Sequence, residues 1–223
     1  MTLFFQQTVA ILSKDFLMEY RDRSRLLSTL LFGLLLLLLF SFALSVDPAL
    51  MRKMAPGLFW LTLFFASTLS LEHSFQKERE EGRWEGLLIL GIDPRALFLG
   101  KLLGNLLFIS LLQLFLLPLM AVLYDIQLSW TLGTVLVLGS LGLSTLGTFY
   151  SALTASLREG QFLLPLLLYP MLVPLLLASV KVTELVLARD LFGQQVAWLK
   201  LLIVFDIIFL LGSLLTAEFL IDR

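Results

Sequence analysis

Apolar residues run along this chain in long blocks, separated by short charged ones. Six blocks predict membrane-spanning helices: Leu26–Val46, Met54–Leu71, Leu102–Tyr124, Ile126–Leu157, Gln161–Val180 and Leu199–Ile221. A helix rises ~1.5 Å per residue and bilayer hydrocarbon is ~30 Å thick, so about 20 mostly apolar residues suffice. The fourth block is longer than one crossing needs, so its ends must include loop. The sixth contains Lys200, Asp206 and Glu218 but is otherwise apolar. Ala43-Leu44-Ser45 has the small-x-small form of a signal cleavage site. The apolar run before it starts too late and is too long for a signal peptide, so the sequence predicts a retained helix. Ahead of the first block the period changes. Phe5, Val9, Leu12, Phe16 and Tyr20 recur every three or four residues, which predicts an amphipathic helix over 4–25. Such a helix lies in the membrane interface as an elbow leading into the first span. The expected fold is all-α and polytopic: one transmembrane domain over 1–223, with an elbow at 1–25 and a polar loop at 72–101.

Composition removes the soluble alternatives. Hydrophobic residues make up 59% and charged residues 15%, with a mean hydropathy of +0.95. Soluble domains average ~45–50% and ~25%. An excess of this size cannot be hidden in the core of one small globule. The net charge of −1 gives no basic field for nucleic acid. With no cysteine and one histidine, thiol chemistry, Cys-based zinc sites and histidine clusters are excluded.

Charge sets the expected orientation. With a cytoplasmic N-terminus, eleven of the 16 Lys and Arg fall on the inner side. The positive-inside rule therefore predicts both termini in the cytoplasm. Trp60, Tyr124, Trp130 and Trp198 then fall at outer helix ends, where amphipathic rings prefer the headgroup layer. The inner loop Glu72–Lys101 mixes acids and bases almost evenly, as an ordered helical surface does. It reads as a short surface helix presenting Trp84 to a soluble partner, or as a plain connector. The outer loop Lys181–Gln195 could form an amphipathic helix on the outer surface.

Several positions inside the spans stand out. Ser140, Ser144, Thr148, Ala152 and Ser156 recur every four residues, with Gly147, Ser151 and Ala155 beside them. Gly100 and Gly104 form a GxxxG at the start of span three. Small faces allow close helix approach, within one bundle or between copies. Span five carries Pro165, Pro170 and Pro174. Each removes a backbone donor, so this helix should be bent and buried against neighbours or water. Asp206 is the one charge in the middle of a span, with Lys200 within snorkelling reach. An intramembrane carboxyl points to function by default, and a structural polar contact is the plainer reading. The lone His73 sits at the end of span two and reads as structural. A phosphate-cradling loop is missing, because Gly100-Lys101 is followed by leucine and Arg95 occupies the place of the first glycine. Catalysis by this chain alone is therefore not expected.

The stretch Glu80-Glu81-Gly82-Arg83-Trp84-Glu85-Gly86-Leu87-Leu88, with Pro94 and Lys101 after it, resembles the loop behind the second span of ABC-2-type permeases. Arg83 stands where Thr or Ser is usual. Ala55-Pro56-Gly57-Leu58-Phe59-Trp60 and the prolines of span five resemble the CcmB family of haem exporter subunits. That resemblance implies a non-catalytic permease subunit in the bacterial inner membrane, serving haem export or delivery in c-type cytochrome biogenesis. It implies an ATPase partner (CcmA-like) that binds the ATP, a haem-handling membrane partner (CcmC-like) and a second copy of the chain. Haem would be cargo, with no cofactor bound directly. Arg83, Trp84, Glu85, Leu87 and Leu88 would contact the ATPase. An ABC-2 permease for a drug or lipid, and a non-conducting scaffold that releases a haem chaperone, stay open as alternatives.

Overall fold

The computed structural model describes residues 2–21, 23–43, 48–71, 74–75, 91–126, 129–155, 160–188 and 193–221. Seven long helices account for nearly all of them: α1 (Thr2–Arg21), α2 (Arg23–Ala43), α3 (Pro48–Leu71), α4 (Pro94–Tyr124), α5 (Trp130–Ala155), α6 (Gly160–Leu187) and α7 (Gln194–Ile221). Helices α2 to α7 are long and apolar enough to cross a membrane. In that setting a helix satisfies all its backbone groups internally, which is why apolar blocks of this length fold this way.

The helices outrun the apolar blocks that announce them. Helix α3 starts at Pro48 and carries Arg52 and Lys53 within its first turns. Helix α6 runs without interruption past Lys181 to Leu187, so the expected outer loop at 181–195 begins as a continuation of span five. Helix α4 has 31 residues, or about 46 Å, well beyond the hydrocarbon thickness. Its ends are fixed locally. Asp93 accepts a hydrogen bond from the Arg95 N–H at 2.9 Å, with Pro94 at the first helical position. At the far end Asp125 takes the left-handed conformation (φ 50°, ψ 54°) and its N–H donates to the Ala121 carbonyl.

Helix α5 is the axis, and α3, α4, α6 and α7 all pack on it. Helices α3 and α5 are mostly covered (72% and 67% of their spans), whereas α2 and α7 are mostly open to the surroundings (22% and 17%). The main core joins Trp60, Leu63 and Phe64 of α3 to Leu112 and Leu116 of α4, Leu143 and Leu146 of α5, and Leu172 and Leu175 of α6. A smaller core sits at the end of the bundle where α1 lies, and holds Ile11, Phe75, Leu97, Phe98, Leu102, Ala152 and Ala217.

The aromatic expectation fails at two positions. Trp60 and Tyr124 are buried in the main core rather than set at a lipid interface. Trp60 donates its indole N–H to Thr183 Oγ1 at 2.9 Å, so its polar edge is satisfied inside the protein. Trp130, at the start of α5, is 97% exposed.

Candidate functional site

The α1 end of the bundle concentrates polar contacts between helices. Lys101, on α4, is 5% exposed and its ammonium lies 3.1 Å from Asp15 on α1. The same ammonium stands over the Phe75 ring, 5.7 Å from its centroid, within cation–π range. One side chain thus joins α1, α4 and the segment that follows α3. Gly100 and Gly104 allow this approach. A methyl group at Gly100 would stand 2.8 Å from Ile11 Cβ and 3.2 Å from the Thr8 carbonyl oxygen, and one at Gly104 would touch Leu12 and Asp15. The GxxxG face therefore packs on the chain's own α1. The Asp93 N–H donates to Gln7 Oε1 at 3.2 Å, and Arg95 pairs with Glu218 of α7 at 3.0 Å.

Helix α1 consequently presents two faces. Thr8, Ile11, Leu12 and Asp15 meet α4, while Phe5, Val9 and Phe16 of the predicted stripe remain exposed. The exposed stripe is apolar at the positions the periodicity marks.

The small-residue face of α5 divides in use. Ser144 donates to the Leu102 carbonyl at 2.7 Å, and Asn105 donates to Thr148 Oγ1 at 2.9 Å and Ser74 Oγ at 3.1 Å. Ala152 fills the smaller core, and Ser140 is buried without a hydrogen-bond partner among the described residues. These are bonds within one bundle, most of them joining α4 to α5. Gln113 adds a bond to the Leu136 carbonyl at 3.4 Å. Sequence reasoning passed over Asn105 and Gln113 as uncharged. The signal available was an amide inside an apolar block, which must find a partner there.

The CcmB protein family profile matches residues 6–220. The chain belongs to the CcmB family. The heme exporter protein B of Haemophilus influenzae is 30% identical to it over 196 residues, covering 87% of this chain and 89% of that protein. The proteins of the same name from Pseudomonas aeruginosa (31% over 169 residues, 75% and 76% covered) and Rhodobacter capsulatus (33% over 171, 75% and 78%) are also similar.

In this CcmB-family chain the remaining candidates are scattered. Arg83, Trp84, Glu85, Leu87, Leu88 and His73 lie outside the described residues. Pro170 and Pro174 are exposed on α6, whereas Leu168, Leu172 and Leu175 of the same stretch are buried against the bundle. The side chain of Pro165 lies outside the described set. Asp206 is 3% exposed and neither carboxyl oxygen has a hydrogen-bond partner among the described residues. Its Oδ1 would stand 2.7 Å from a methyl group at Gly142 on α5. Lys200 is exposed on the surface of α7. Asp206 is thus sealed between helices, and the junction at Lys101 is a separate place.

Proposed function

We propose that this chain is the membrane permease subunit of an ABC haem exporter, serving haem delivery for c-type cytochrome biogenesis. The observation that carries the reading is the family match over residues 6–220, joined to six helices able to cross a membrane. Haem is the cargo, as the name shared by the similar proteins suggests. The chain itself does no covalent chemistry. A separate ATPase subunit supplies hydrolysis, a haem-handling membrane subunit works beside it, and a second copy completes the pair. The setting is the bacterial inner membrane with both termini cytoplasmic, which puts α1 and Lys101 at the cytoplasmic end.

The mechanism follows from what is tied to what. The ATPase docks on residues 74–90 through Arg83, Trp84, Glu85, Leu87 and Leu88, and against α1. Closure of the ATPase pair displaces that layer. Lys101 transmits the displacement, because its ammonium binds Asp15 of α1 and faces Phe75 of the inner segment. Arg95–Glu218 carries it on to α7. Rigid helices joined this way move as bodies. The test is co-purification of the full chain with its ATPase. Arg83→Glu combined with Glu85→Lys is expected to abolish association and haem-linked ATP hydrolysis; unchanged association and coupling would overturn the docking assignment.

A scaffold reading has one specific support. The notches at Gly139, Gly142 and Gly147 of α5 are filled by Trp60, Leu175 and Leu71. Cargo as large as haem would then travel along the bundle's flank, not through one chain. An ATPase-dead complex that still loads the haem chaperone but fails to release it would favour release machinery over a conduit.

A further inference from the structure

At the end of the bundle opposite α1, a cavity of about 680 Å³ opens between the start of α3, the α4–α5 turn and the end of α6. That volume is typical of sites for small organic ligands. Ile126, Val186 and Leu187 give it an apolar wall, while Arg52, Lys53, Asp125 and Glu184 stand around it. These four charges balance in number but do not all pair with one another, because Lys181, outside the lining, takes one of the anions. Asp125 is matched by Arg52, and Glu184 by Lys181 at 2.8 Å. Lys53 is exposed and has no ion pair or hydrogen bond among the described residues. One cation is therefore left over beside an apolar wall, at a helix end where polar and apolar surroundings meet.

We propose that this cavity binds an amphipathic anion, its carboxylate or phosphate group held at Lys53 and its apolar body against Ile126 and Leu187. Two sources supply such a molecule: a porphyrin with its two carboxylates, and an anionic lipid of the adjoining leaflet. Imidazole, thiol and thioether groups are missing from the lining among the described residues, so iron-free porphyrin should bind as well as haem. The inference leans on the permease reading only in choosing porphyrin as a probe.

The experiment uses the full chain in phosphatidylcholine nanodiscs. Protoporphyrin IX binding is followed by fluorescence anisotropy, and phosphatidylglycerol retention by native mass spectrometry. Lys53→Gln is expected to weaken binding roughly fivefold, the value of one partly exposed ionic contact. Ala188→Trp, which fills the cavity from an exposed position, should remove binding with Lys53 intact. Sensitivity of porphyrin alone identifies the porphyrin as ligand, and sensitivity of phosphatidylglycerol alone identifies the lipid. If neither ligand responds to either substitution, or neither binds, the proposal is wrong. Failure of the ATPase to co-purify would sink the permease reading and leave these measurements standing.

Discussion

Lys101 and Asp206 are both sealed from the surroundings, at 5% and 3% exposure, yet the protein treats them in opposite ways. Lys101 meets a carboxylate and an aromatic face, each brought by a different segment. Asp206 faces the bare backbone of Gly142, beside which Leu175 also packs, and its oxygens go unpartnered among the described residues. A buried charge with a partner specifies where helices sit; removing that partner is costly, whereas replacing a polar group by an apolar one of similar size often is not. The first site is therefore a joint that organises the fold. The second is a cost that packing around α5 has to absorb.

The largest effect should come from breaking the joint. Lys101→Met removes the buried ammonium from Asp15, which is 18% exposed and keeps only Lys14 at 3.3 Å, and should lower stability by about 2–3 kcal/mol. Thermal unfolding in nanodiscs measures this. Adding Asp15→Leu should restore part of the loss, because the carboxylate left with Lys14 alone goes too; no recovery would show that the pair contributes little beyond packing.

An intermediate effect separates the glycines at the two sites. Gly100→Ala pushes on Ile11, whose branched Cβ is stiff, and on the Thr8 carbonyl, so α1 itself has to shift. A loss of about 2 kcal/mol is expected there. Gly142→Ala meets only the flexible ends of Leu175 and Asp206 and should cost about 1 kcal/mol. The chain has no cysteine of its own, so a disulfide between Gln7→Cys and Asp93→Cys reports whether α1 stays seated. Its yield should fall with Gly100→Ala and hold with Gly142→Ala.

The smallest effect has the opposite sign. Asp206→Leu should raise stability by about 1 kcal/mol, since an apolar side chain of the same branched shape, though bulkier, replaces an unpartnered carboxyl. A clear drop in thermal stability would mean that Asp206 meets a partner beyond the residues described for this chain.

The six spans were legible because hydropathy reports the stretch in contact with lipid. Helix ends were not, because backbone hydrogen bonding continues past the last apolar residue. That is why Arg52, Lys53 and Lys181 turned out to lie on helices. Small residues at 100, 104, 144 and 148 announced close packing, but not the partner, which for Gly100 proved to be the chain's own first helix. Periodicity showed one stripe on α1; the second, with Thr8 and Asp15 in it, is too polar to register as apolar. The burial of Trp60 was hidden for a related reason. Its partners, Gly139 and Thr183, are far away in sequence and neither is apolar.

The notches along α5 have a mechanical corollary. Trp60 from α3, Leu175 from α6 and Leu71 from α3 each enter one of them, at three heights. Like teeth seated in a keyway, they block both rotation and sliding of the shaft unless all three withdraw together. Any stroke delivered to the bundle must carry α3, α5 and α6 as one block, and the thinly covered α2 and α7 are the pieces left to swing.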